Sequence, residues 1–213
     1  MKKFFLIFAT FFTFLQLGYA MRPCFTDDYG VLDNEKLEYE LGIEFLSNEF
    51  SGYMSVGTGI SNINTLYFVV PYQFLPERVA GDIEIVSKIK ILSYEGLPYF
   101  TVKFDMIPVI GEYTITGISS LIYEKLNFHI NFGYKFPEEE VPVGIAVEYR
   151  IVQFLQIIAD VFLDDMKNKD TEIKILTGIR LWPTDNFAID IGAYYGVKDE
   201  KVRYTIGFVF DTL

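Results

Sequence analysis

Cysteine and histidine are almost missing from this chain: Cys24 and His129 are the only ones in 213 residues. One cysteine closes no intramolecular disulfide. One cysteine and one histidine cannot build a cysteine-cluster or two-histidine metal centre, so no cofactor or metal site is expected. Bases are also scarce, with 18 Lys and Arg against 29 Asp and Glu and a formal net charge of −11. Nucleic-acid binding requires a basic footprint, and that class falls away. After the first twenty residues no apolar run approaches the length of a membrane-spanning helix.

Aromatic residues, by contrast, are abundant. With 21 Phe, 15 Tyr and 51% hydrophobic residues, the chain is not disordered. Its length suits one domain. A positive mean hydropathy of +0.24 beside a charge of −11 demands an arrangement that keeps apolar and charged groups apart.

The start of the chain reads as a secretory leader. Met1-Lys2-Lys3 is a basic head, Phe4 to Leu17 carries no charge, and Gly18-Tyr19-Ala20 puts small residues at the cleavage positions. The run is short for a membrane span and lacks a stop-transfer flank. Cys24 has no lipobox before it, which argues against lipid anchoring. Residues 1–20 are therefore expected to be a cleaved signal peptide, 21–35 an N-terminal periplasmic segment and 36–213 the folded domain. Cleavage removes Lys2 and Lys3 and deepens the negative charge.

From Leu37 onward the chain alternates with period two. Leu37, Tyr39, Leu41, Ile43 and Phe45 oppose Glu38, Glu40, Gly42 and Glu44. Successive strand residues point to opposite faces, so one face is apolar and the other acidic. The pattern recurs about 83–91, 100–106, 126–135, 143–150, 155–163, 173–181, 187–195 and 202–211, and less cleanly at 52–60, 65–74 and 113–123. No charged residue falls on the apolar face of any of these twelve segments.

A soluble sandwich also alternates. Segments of about ten residues, however, match a tilted membrane strand, whereas soluble strands usually run to five or six. Tyr and Phe gather near strand ends as in an aromatic girdle, and twelve is even. The connections 75–81, 136–141 and 164–171 are longer and more charged than 61–64, 124–125 and 183–186. Prolines fall at strand ends or in connections, apart from Pro71. The expected fold is all-β: an antiparallel transmembrane β-barrel of about 12 strands, in the outer membrane of a Gram-negative bacterium. Its expected partners are membrane lipids, the outer-membrane assembly machinery and a small-molecule solute.

The charged face of such a barrel points into the lumen. Its candidate lining is Glu38, Glu40, Glu44, Asp82, Glu84, Lys88, Lys90, Lys103, Asp105, His129, Asn131, Glu148, Arg150, Asp160, Arg180, Asp190 and Arg203. These charges either pair across a nearly filled interior or line a narrow pore, since barrels widen with strand number. If the first strand pairs with the last, Arg203 sits beside the Glu38–Glu44 acidic row. Residues 21–35 lack alternation. They form either a loose tail or a plug in which Arg22, Pro23, Thr26, Asp27 and Asp28 enter the lumen mouth. His129 is the only obvious general base near neutral pH, yet it lies on the inward face between Asn127 and Asn131. It reads as a lumen polar group, and no enzyme is expected.

The residues after the expected cut, Arg22-Pro23-Cys24-Phe25-Thr26-Asp27-Asp28, resemble the Arg-Pro-x-x-Thr-Asp-Asp opening of the "MetA-pathway of phenol degradation" family of outer-membrane proteins. Leu37 to Gly42 resembles its first strand and Val70-Pro71-Tyr72 its strand ending in Pro-Tyr. Gly81-Asp82-Ile83-Glu84 running to Lys88 is similar to its Gly-Asp-Leu-x-Leu-x-x-Lys strand. His129-Ile130-Asn131-Phe132-Gly133-Tyr134 is similar to its His-x-Asn-x-Gly-Tyr segment. The resemblance implies a barrel related to fatty-acid channels that takes up small hydrophobic or aromatic compounds. Passive uptake is the expected function. The alternative is a structural or adhesive barrel whose lumen is closed by charge pairs.

Overall fold

The computed structural model describes residues 28, 30–46, 49–93 and 97–212. The expected signal peptide lies outside the described residues, as do Arg22, Pro23, Thr26 and Asp27. Every described element is a strand: β1 (Leu37–Leu46), β2 (Glu49–Ser61), β3 (Asn64–Leu75), β4 (Val79–Ala80), β5 (Glu84–Leu92), β6 (Tyr99–Ile107), β7 (Glu112–Tyr123), β8 (Leu126–Phe136), β9 (Val143–Val152), β10 (Leu155–Leu163), β11 (Ile173–Thr184), β12 (Phe187–Gly196) and β13 (Lys201–Asp211). All but the two-residue β4 run to nine residues or more, the length a tilted strand needs to cross a bilayer.

Apart from the small β4, which leaves β3 paired with β5, each strand lies beside its neighbours in sequence, and pairing of β1 with both β2 and β13 closes the sheet. Closure leaves no free edge among the twelve long strands, which a barrel in lipid requires. The small β4 folds back on β3 through Tyr72 and Gln73 at one rim. This hairpin has no signal in the alternation, because two residues carry no period. The sequence boundaries of the less regular segments were also too short: β2 and β3 extend through 49–61 and 64–75.

The apolar parity faces outward. Phe132 is 55% exposed, Ile175 49% and Ile191 43%, values that only a hydrocarbon surround accommodates over a whole belt. Ile43, Ile206, Ile191 and Ile179 stand side by side on four adjacent strands, one course of that belt. Aromatic pairs cluster near the strand ends. Phe45 stacks on Phe50 at 5.2 Å and Tyr113 on Phe136 at 4.7 Å at one end, and Phe187 on Phe210 at 4.4 Å at the other. Connections differ by end too. Where the chain termini meet, β7–β8, β9–β10 and β11–β12 turn in two residues each, while the opposite end carries 137–142 and 164–172.

Candidate functional site: the lumen and its inner segment

The other parity faces inward, and it builds two unlike halves. On the side made by β7 to β12, Ile118, Ala146, Ile158, Leu176 and Tyr194 are buried among polar groups. Ile158, Leu176 and Tyr194 form a small apolar cluster inside the barrel. Arg180 and Asp190 lie directly opposite across β11 and β12. The guanidinium donates through Nε at 2.7 Å and Nη2 at 2.9 Å to the two oxygens of a fully buried carboxylate, a bidentate geometry.

The same half holds His129, 2% exposed. Its Nδ1 is 2.7 Å from the Ser120 hydroxyl, and its Nε2 is 3.7 Å from Glu148. Asn127 donates to Glu148 at 3.2 Å, and Gln156 donates to the same oxygen. Hydroxyl, imidazole and carboxylate thus stand in a row. Ser120 has no exposed surface, which leaves no space for an acyl group at its hydroxyl. The Ser120–His129 hydrogen bond ties β7 to β8, and the Asn127–Glu148 hydrogen bond ties β8 to β9.

The half made by β1 to β6 is open. A cavity of about 630 Å³ is lined by Glu40, Glu44, Tyr53, Tyr67, Glu84, Lys88, Lys103 and Asp105, among others. Two small inward residues on β2, Ser51 and Ser55, leave this room. A Cβ on Gly57 would strike the Tyr67 ring, which lies flat against it. Glu40, Ser55, Val69 and Glu84 occupy one level on four adjacent strands. Glu40 accepts hydrogen bonds from Ser55 at 3.1 Å and Tyr53 at 3.5 Å. Glu44 accepts one from Tyr194 at 2.7 Å and stands 3.5 Å from Arg203, which also binds Asp199.

Deeper in, Lys88 and Lys103 face each other across β5 and β6. Like charges directly opposite are destabilising, and each ammonium has an acid beside it. Lys103 is 3.1 Å from Asp105, and Lys88 is 3.7 Å from Asp28 of the N-terminal segment. That segment runs along the inner wall. The Leu32 amide donates to the buried Thr65 hydroxyl at 2.7 Å, and Asp28 accepts from the Gly30 amide at 2.8 Å. Glu35 N donates to Gly59 O of β2, and Gly59 N donates to Lys36 O, both at 3.0 Å. A Cβ on Gly59 would overlap the Asp33 carbonyl, so only glycine lets the segment lie this close. Below Asp28 a smaller space of about 160 Å³ is bounded by Glu38, Arg180, Trp182 and Asp211.

Among the residues expected to line the lumen, Glu38, Glu40, Lys88, His129, Asn131, Glu148, Asp160 and Asp190 are buried on the inward face. Glu44, Glu84, Lys90, Lys103, Asp105, Arg180 and Arg203 are half-buried. Asp82 and Arg150 are different: both are exposed at the rims. Asp82 precedes β5, and Arg150 lies near the end of β9 with its guanidinium 5.2 Å from the Trp182 ring. Parity assigns a face but not a depth, so residues at strand ends escape it. Ser55, Thr65, Tyr53, Tyr67 and Gly59 also face the lumen; they carry no charge to mark their parity, and the run of small residues on β2 is the one signal of them in the sequence.

Three solved structures share this architecture. The KdgM porin superposes with a TM-score of 0.66 at 11% identity, covering 82% of this chain and 98% of its own. The NanC porin gives 0.62 at 13%, with 84% and 99% covered. The COG4313 outer membrane channel from Pseudomonas putida F1 gives 0.58 at 10%, with 87% and 98% covered. At these identities the likeness is one of fold, and the fold is that of outer-membrane barrels. No protein-family model matches the chain, and no curated protein does.

Proposed function

We propose that this protein is an outer-membrane channel for passive uptake of small, hydrophobic or aromatic solutes, with residues 21–35 acting as a plug. The reading rests on one observation: a cavity of about 630 Å³ ends at the Asp28–Lys88 pair inside a closed barrel. Even-stranded barrels keep both termini and the short turns on the periplasmic side. The cavity then opens outward, and the N-terminal segment obstructs the periplasmic half. The hydrophobic or aromatic character of the solute comes from the resemblance to the MetA-pathway family. The solute named with one KdgM structure is an oligogalacturonate, a polyanion poorly suited to a wall with the carboxylates of Glu40, Glu44, Glu84 and Asp105.

A second reading has its own support. The packed β7–β12 half and the Arg180–Asp190 fork stiffen the barrel, as a structural or adhesive protein with a closed lumen would require. Swelling of proteoliposomes separates the two, with phenol-like, sugar and amino-acid solutes compared. Uptake of the phenol-like solute supports the channel, and swelling with none of them supports the structural barrel. A plug adds a further expectation: deletion of residues 22–30 raises single-channel conductance in planar bilayers, and unchanged conductance argues against it.

A further inference from the structure

We infer that Asp28 sets the charge selectivity of the channel: the N-terminal segment carries its carboxylate to a constriction in mid-bore, between opposite walls. This inference rests on the channel reading and adds the residue that discriminates solutes by charge. The outer cavity of about 630 Å³ is bounded by Lys88, and the inner space of about 160 Å³ by Asp28. The two spaces therefore abut at the Asp28–Lys88 pair, 3.7 Å apart. Lys88 belongs to β5. Arg180, which borders the inner space together with Asp28, belongs to β11. Among the twelve long strands β5 is the fourth and β11 the tenth, half a turn apart around the closed sheet. Asp28 thus stands between bases of opposing walls, and a solute that moves from one space to the other passes its carboxylate.

The two partners present themselves unequally. The Lys88 side chain is 5% exposed and that of Asp28 33%, so the acid is the member that meets a passing solute. Its carboxylate is also held in place. Oδ1 accepts from the Gly30 amide at 2.8 Å, and two residues further on the Leu32 amide is fixed to Thr65 of β3 at 2.7 Å. On the opposing wall the Arg180 guanidinium already meets both oxygens of Asp190. The charge of Asp28 acts through space even with Lys88 beside it, more weakly than alone, and the low-dielectric walls focus its field on the bore. Cations and neutral solutes pass such a point more readily than anions.

Planar-bilayer recordings of the full chain in a KCl gradient test this. Asp28→Asn is the informative variant, because the amide oxygen can still accept from the Gly30 amide while the charge is gone. It is expected to raise the chloride-to-potassium permeability ratio about threefold or more, with little change in conductance. Asp28→Glu should keep the parent ratio. Asp33→Asn, at an exposed carboxylate of the same segment, should leave the ratio unchanged. A heat-modifiable gel shift confirms that each variant is folded. An unchanged ratio in Asp28→Asn, or an equal shift in Asp33→Asn, overturns the inference. So does a large rise in conductance at the parent ratio, which makes Asp28 an anchor only. Current at the parent ratio in every variant sinks Asp28 as the selector and leaves the channel. A chain that conducts in no form, with residues 22–30 deleted or intact, sinks the channel and the selector together.

Discussion

Asp190 has no exposed surface, and its charge is tolerable because the Arg180 guanidinium meets both of its oxygens. Removing one partner of a buried pair strands the other, while removing both can be neutral. Asp190→Ala is expected to destabilise the barrel by about 3 kcal/mol in urea unfolding from lipid vesicles. Arg180→Met combined with Asp190→Leu should recover most of that loss. At Asp199 the charge works differently, out in the β12–β13 connection. Its hydrogen bond from Arg203 holds the carboxyl below the usual aspartate range. A depressed value means that its contribution to the loop is complete above the unfolded value of about 3.9 and is lost as pH falls through the lower folded one. Hydrogen exchange at the Lys201 amide, which donates to Asp199 at 3.0 Å, should therefore speed up only below about pH 4.

At the scale of elements, the N-terminal segment is held by backbone more than by side chains. Gly59 is its tightest point, since a Cβ there meets the Asp33 carbonyl. Gly59→Ala is expected to unseat residues 30–35 and raise bilayer conductance, while the barrel's gel shift stays as it was. Conductance equal to that of the parent protein would count against the segment as an obstruction. The strands were readable because the charges within each of β1, β5, β6, β9, β11 and β13 fall on one parity. The chamber was not readable in the same way. It arises where Ser51 and Ser55 present little bulk beside Glu40 and Glu84, and period two says nothing about bulk. Parity puts Ile118, Ile158 and Leu176 on the charged face, but it does not show that they fill the opposite half. Which charges pair is a matter of neighbouring strands. Only Arg203 with Glu44 followed from chain order, because closure of first strand on last brings them together.

For the molecule as a whole, the outward belt is the feature that separates a membrane barrel from a soluble one. Ile191 lies mid-strand, 43% exposed, between Ile179 and Ile206. Ile191→Lys is expected to cost about 2–4 kcal/mol in vesicle-based unfolding, because lipid offers no solvation for the charge. A surface position of similar exposure in water would tolerate the same change within about 0.5 kcal/mol. Measured near-neutrality would mean that this face does not meet hydrocarbon.

The seam that closes the barrel also sets a timetable. Leu37 N donates to Thr212 Oγ1 at 2.9 Å, and Thr212 N donates to Leu37 O at 2.8 Å, across 175 positions of chain. Contacts so distant in sequence form late. The segment's seat on β2, β3 and β5, at Gly59, Thr65 and Lys88, is made of strands much nearer to it in sequence. The wall that encloses it on the far side, with Arg180 and Asp211 beside Asp28, arrives with the last strands. If the nearer contacts form first, the expected order is that the segment is seated before the seam shuts, so that the barrel closes around it.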